Sequence, residues 1–492
     1  MTVPVPPLRD TRVRSDPSRA RGASEAAAAI SGLVLCSLAV VPLLPWLVDM
    51  QGYHAVVATL HAVLCAVGAA AAIAFGLRPV LLVASVFPYC WLVVPSVYQI
   101  SHELAAWGDN TVTADFSATL RAQILLAVGQ AGLLTCYAVV AGLRPSRGSR
   151  EWTLGERDAR RLITVAAGLT LLTLVLVPFV VSSAGGIGVL FSSRGDFNQA
   201  LLNQGLESSN RAGRALIKTV PAGLATSAAL LAIWTFRSRP PGDKLRRGAG
   251  WVFATDLALL FVTANPFVYS RYQVLAAFGP VVLALVRSRS SRQAVVWLAV
   301  TVTAFLLAYP AAEAFRLTDS ADRVANPTLA SKDFDGFQQA INAVSYVDAE
   351  GLAHGNFLSS GLLFFVPRAV WEGKAIPSTF PVASARGYQF QDLSMPFPAE
   401  AYLDFGWAGV VVVLGLLGAV FAMLDRAWRD QSWLAVLAAY LALAQVGLWR
   451  GPFGSLAPVF GFAIGTLLLG LGLAGAGLSA RRRPRHPDLP SQ

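Results

Sequence analysis

Residues 405–424 read FGWAGVVVVLGLLGAVFAML, twenty positions without a charged side chain, and Asp425 and Arg426 close the run. A helix needs about 20 apolar residues, at ~1.5 Å each, to cross the ~30 Å hydrocarbon core of a bilayer. The run is continuously apolar rather than alternating, which excludes a strand of a membrane β-barrel. It therefore reads as a membrane-spanning helix, and the rest of the chain repeats it.

Outward from this stretch, comparable apolar runs predict spans at 26–48, 54–77, 79–100, 119–142, 161–183, 214–236, 249–265, 271–287, 293–310, 405–424, 431–449 and 455–478. The pair 249–265 and 271–287 is the shortest. Composition agrees: 55% of the 492 residues are hydrophobic and 14% are charged, with a mean hydropathy of +0.55. Soluble domains carry about 25% charged residues, so this chain cannot coat a water-facing globule. The expected fold is all-α and polytopic, with about twelve transmembrane helices and one long extracytoplasmic loop between helices 9 and 10. Five units follow: a disordered cytoplasmic leader (1–25), nine helices (26–309), the long loop (310–404), three helices (405–478) and a disordered cytoplasmic tail (479–492). The first apolar run follows an Arg-rich leader and reads as an anchor rather than a cleaved signal.

Basic residues set the orientation. With a cytoplasmic N-terminus, the inward segments hold Arg78, Arg144 to Arg161, Arg237 to Arg247, Arg287 to Arg292, Arg426, Arg429 and Arg481 to Arg485. The segment between Ile100 and Thr119 has no Lys or Arg and faces outward. Short loops rich in Lys and Arg stay inside, so both termini are expected in the cytoplasm. The net charge of +11 then lies against anionic lipid, and no nucleic-acid partner is required.

The exceptions carry more information than the rule. Arg194, Arg211, Arg214, Arg271, Arg316, Arg323, Lys332, Arg368, Lys374, Arg386 and Arg450 fall on the predicted outer side. Each alone is explained by snorkelling to headgroup phosphate. Several at the same depth, beside aromatic and Pro/Gly-rich sequence, suit a bidentate anion such as a phosphate or diphosphate. The loop 310–404 is the second asymmetry, since long loops in compact membrane proteins are usually functional or separately folded. Phe334, Phe337, Ile341 and Val344 follow a helical period that Gly351 can end. Asn356 to Val366 is apolar but too short to span, so an interfacial or re-entrant course is expected.

Four pieces in order resemble the O-antigen polymerase (oligosaccharide repeat-unit polymerase, Wzy-like) family: Arg194-Gly-x-Phe197, Asn265-Pro…Ser-Arg271-Tyr272, Pro367-Arg368-x-x-Trp371-x-x-Lys374 and Glu400-x-Tyr402-x-x-Phe405-Gly406-x-x-Gly409. The resemblance spans about Arg194 to Arg450, and it departs at Ala375, where a proline is expected. It implies a GT-C-like glycosyltransferase in the bacterial cytoplasmic membrane, acting at the outer face. Such an enzyme moves glycan from a polyprenyl diphosphate onto another lipid-linked repeat unit. The implied partners are polyprenyl-diphosphate-linked oligosaccharide, membrane lipid and a chain-length regulator protein, with no cofactor and no metal. Arg194, Arg271, Arg368, Lys374 and Arg450 become candidates for binding the diphosphate, whose developing charge needs fixed cations. Glu400 becomes the candidate base, and Tyr402, Asp404 and Tyr272 candidate substrate contacts. Glu400 has an alternative reading as a carboxylate stabilising a helix N-terminus.

Other chemistry-bearing residues read more simply. Asp333 and Asp335 form an Asp-x-Asp, but such a pair at a polar helix start is common and does not call for a metal. His354 reads as solvated, and His54 and His61 as packing residues. Cys36, Cys65, Cys90 and Cys136 fall within spans and behave as small hydrophobes. Asp256 lies inside a short span, where an acid costs roughly 2.5–3.5 kcal/mol and so needs a partner or cavity. The run Gly461–Gly477 lets helices approach closely. A glycan ligase shares the same features, while a lipid-linked-sugar transporter tends to show paired halves, which this chain lacks.

Overall fold

The computed structural model describes residues 34, 36–74, 77–107, 115–143, 155–183, 185–190, 197, 199–200, 211–266, 269, 271–286, 293, 296, 329–391, 393–430 and 434–475, without side chains for 211–218 and 271. The leader 1–25, the tail 479–492, Arg194 and nearly all of the predicted span 293–310 lie outside the described residues. Among the described residues all regular structure is helical.

A short apolar segment, Cys36–Val48, leads into α1 (Gly52–Ala74), α2 (Pro79–Ser101), α3 (Phe116–Leu143) and α4 (Glu156–Ser183). Next come α5 (Arg211–Ser238), α6 (Lys244–Thr263) and α7 (Arg271–Val286). The long segment contributes α8 (Gly336–Glu350), α9 (Asn356–Leu362) and α10 (Thr379–Ala385). The chain then forms α11 (Phe397–Arg429), α12 (Ala435–Arg450) and α13 (Phe453–Leu473). Seven of these are long and apolar enough to cross a membrane: α1 to α4, residues 219–238 of α5, α11 and α13. Cys36–Val48, Tyr272–Leu285 in α7 and α12 are apolar but shorter.

Two groups of helices meet along α12. In one, α11 packs along α3, beside α1 and α2; in the other, α5 packs between α4 and α6 and also touches α7 and α13. Small residues set the α3–α11 distance, as membrane helices without a hydrophobic driving force require. A Cβ at Gly418 would meet the Leu133 carbonyl, and one at Gly415 would lie 2.9 Å from Cys136 Sγ.

Helix α8 begins after a 3₁₀ turn (Lys332–Phe334) and buries Phe334, Phe337, Ile341 and Val344, the periodic set. Gly351, at φ +82°, ends it. One boundary differs from expectation. The helix predicted to start at Phe405 begins at Phe397, with Pro398 in its first turn, where a missing N–H costs nothing. Gly406 (φ +63°, ψ −152°) kinks it, a conformation that glycine tolerates. Glu400, Tyr402 and Asp404 therefore sit on a helical turn ahead of the kink.

Candidate functional site

The turn 397–405 carries two buried carboxylates four residues apart, so they lie on one helix face. Each is engaged by another helix. Glu400 Oε2 accepts the Phe453 N–H at 2.7 Å, at the start of α13, and Oε1 accepts the Ser378 hydroxyl at 2.8 Å. Asp404 accepts the N–H groups of Phe357 (3.1 Å) and Leu358 (2.7 Å), at the start of α9. At the opposite end of α11, buried Asp425 accepts the N–H groups of Val80 and Leu81, both at 2.9 Å, and the Tyr137 hydroxyl at 2.9 Å. The first N–H groups of a helix have no partner within it and form its positive end, so a carboxylate there satisfies donors and complements the dipole. α11 thus caps three other helices through space.

Glu400 is 0% exposed and both of its oxygens are occupied. These bonds have the form of the helix-capping alternative, although the helix capped is α13 rather than its own. Asp404 holds α9 in the same way rather than facing open space. Tyr402, also buried, packs edge-on against Trp407, with ring centroids 5.4 Å apart.

Arg450 closes α12. Its guanidinium pairs with Asp333 Oδ1 at 2.7 Å, each side chain about one-fifth exposed, and its carbonyl accepts the Met395 N–H at 2.9 Å. Asp333 is in turn fixed by the Trp91 indole N–H, which donates to its carbonyl at 2.8 Å. The Asp-x-Asp pair therefore splits. Asp335 Oδ2 accepts the Trp107 indole N–H at 2.9 Å, and burial pushes the Asp335 carboxyl above the usual carboxylate range against the hydrogen bonds from Ser394 and Trp107. Lys332 Nζ lies 4.9 Å from the centre of the Trp107 ring. Gln338 donates to the Tyr388 hydroxyl at 3.0 Å, which ties α8 to the segment after α10.

Arg368 and Lys374 serve the backbone. The Arg368 guanidinium donates to the carbonyls of Lys374 and Ala375. Lys374 Nζ donates to the carbonyls of Leu363 (3.1 Å), Phe364 (2.8 Å) and Val366 (2.9 Å), which uses all three ammonium donors. Tyr272 lies elsewhere, in a pocket of about 40 Å³ with Tyr269, Gln273, Tyr440 and Phe460 between α5, α7, α12 and α13. That volume holds a few waters. Arg271 is placed as the first residue of α7.

The structure thus ties Glu400, through Phe453, to the turn that follows Arg450, places Tyr402 and Asp404 on the Glu400 turn, and puts Tyr272 elsewhere. Ser378 and Asp333 complete the junction; Ser378 carried no distinguishing signal in the sequence, and Asp333 stood out only as half of the Asp-x-Asp pair. Asp425 and its capped helix were also missed, because an acid followed by Arg426 reads as the ordinary end of a span. Asp256 finds Thr170 of α4, whose hydroxyl lies 3.1 Å from Oδ2. The chain matches no family model, no curated protein and no solved structure.

Proposed function

We propose that this membrane protein is a glycosyltransferase that polymerises lipid-linked repeat units at the outer face of the bacterial cytoplasmic membrane. In this reading an acceptor hydroxyl attacks the anomeric carbon of a glycan carried on polyprenyl diphosphate. The carbon–oxygen bond to the diphosphate breaks, the polyprenyl diphosphate leaves with the electron pair, and the hydroxyl proton passes to a base. The observation that carries the reading is the clamp at Glu400, where one carboxylate joins Ser378 and Phe453. It draws the segments that hold Ser378, Glu400 and Phe453 together at one end of an apolar bundle, and two of them, 367–374 and 400–409, carry pieces of the motif resemblance.

Arg450 is the diphosphate ligand that this geometry favours, because its partly exposed guanidinium sits at the clamp. Arg194 and Arg271 remain its proposed partners, and Glu400 acts by positioning the Arg450-Gly451-Pro452 turn. The leaving diphosphate needs such a preorganised cation more than the ground state does. The test is a gene deletion read by surface-glycan length. A polymerase leaves single repeat units on the surface or on the lipid carrier. Single units confined to the cytoplasmic leaflet would instead mark a transporter, and unchanged long polymer without a second polymerase would remove the proposal.

A further inference from the structure

The segment after α9 runs alongside α13, and three contacts give its depth. A Cβ at Gly361 would meet the Phe453 ring at the first residue of α13. A Cβ at Gly461 would meet the Phe364 ring, and one at Gly454 would lie 3.7 Å from Pro377 Cα. The chain therefore starts level with the top of α13, reaches down to Gly461 and returns to Gly454. Gly461 is eight residues into α13, roughly 12 Å along the axis at ~1.5 Å per residue. α13 has 21 residues, barely enough for the ~30 Å hydrocarbon layer, so a contact at that level lies within it.

Irregular backbone is tolerated at such depth only when its polar groups are satisfied. Here the two cations satisfy five of its carbonyls: Lys374 takes those of residues 363, 364 and 366, and Arg368 those of 374 and 375. The Ser360 hydroxyl accepts the Ala375 N–H at 2.8 Å and ties the two limbs together. The exposed side carries an apolar patch, with Leu362 65%, Phe365 67% and Val370 78% exposed, joined by Leu363 and Ile376, and the charged Arg368 and Glu372 are exposed beside it. In water this patch would be a liability.

We propose that residues 356–377 form a re-entrant hairpin whose apolar side is immersed among the acyl chains of the surrounding bilayer. Arg368 and Lys374 hold it shut through its own carbonyls, and the hydrocarbon takes up Leu362, Phe365 and Val370. The returning limb ends at Ser378 on Glu400, so lipid contact is linked mechanically to the Arg450 turn. The proposal rests on membrane embedding and is independent of the reaction catalysed.

Single cysteines at Phe365 and Val370, in full-length protein with Cys36, Cys65, Cys90 and Cys136 replaced by alanine, carry a bimane label in phosphatidylcholine vesicles. His354 and Ser384, both exposed and away from the hairpin, serve as references. The expected result is stronger quenching at 365 and 370 by nitroxide on acyl chains than by nitroxide on headgroups, with little quenching by aqueous iodide. The references should show the reverse. Iodide quenching at 365 and 370 equal to that at 354, or strongest quenching from headgroup nitroxide, overturns the hairpin and leaves a surface loop. Loss of polymerising activity has no bearing on this readout.

Discussion

The carboxylate of Glu400 and the backbone N–H of Phe453, 53 residues apart, are joined at 2.7 Å, so the turn before one spanning helix caps the start of another. This bond fixes the backbone three residues after Arg450.

Glu400→Gln keeps an oxygen for Phe453 and a polar group for Ser378 and removes only the charge. It should lose up to about 1 kcal/mol of stability, the range of a helix-terminal charge, and keep most chain growth. Glu400→Ala strands a buried N–H and a hydroxyl and should lose more, ~1–3 kcal/mol for each unsatisfied group. Thermal unfolding in detergent and polymerisation of a synthetic polyprenyl diphosphate repeat unit measure both. A drop in turnover of about 10²–10⁴-fold in the glutamine variant would reinstate Glu400 as the base.

Arg450→Ala should abolish polymer while the protein remains in the membrane, and Arg450→Lys should restore little, since an ammonium lacks the planar two-point contact with phosphate. Asp333→Asn removes the charge from the guanidinium's 2.7 Å partner. The double variant should depart from additivity by roughly 0.5–3 kcal/mol in stability. Additive effects, together with full activity in Arg450→Lys, would reduce Arg450 to an anchor.

Gly418→Ala places a methyl group against the Leu133 carbonyl, which is backbone and cannot turn away. The α3–α11 contact should loosen, at about 1–3 kcal/mol for overpacking. Gly465→Ala on α13 meets open space and should be neutral. Unfolding temperatures of the two variants give the comparison, and equal stability would dismiss the close approach.

Arg121 makes two hydrogen bonds to Asp348, at 2.9 and 2.6 Å, and these hold the Asp348 carboxyl below the usual range. A lowered carboxylate stabilises the fold above its unfolded pKa of about 3.9, and that contribution is lost as pH falls through the folded value. The pair is one-third to one-half exposed, so its worth is limited to ~0–1 kcal/mol. Wild type and Asp348→Asn should therefore differ slightly at pH 7 and converge below about pH 4. A difference that grows in acid would contradict this sign.

Orientation is checked in intact cells. Cysteines at His354 and Ser384 should react with a membrane-impermeant thiol reagent, and one at Lys244 should not, because basic loops face inward. Ser378 is fully buried and would mislead as a probe. Reversed labelling would invert the topology.

The sequence by itself determined the helical membrane class, because the length of an apolar run is local and a bilayer admits few other forms. It also located α8, through the period of Phe334, Phe337, Ile341 and Val344, and its end at Gly351. It pointed to Glu400 and Arg450 by residue type and place. Their partners were decided only by the tertiary structure. Which helix start Glu400, Asp404 and Asp425 cap, and whether Lys374 meets a phosphate or three carbonyls, depends on which elements pack side by side. Nothing in a neighbouring run of residues encodes that. Hydrophobic patterning specifies what is buried, whereas a hydrogen bond is specified only when a side chain and its partner group are brought within about 3 Å of each other.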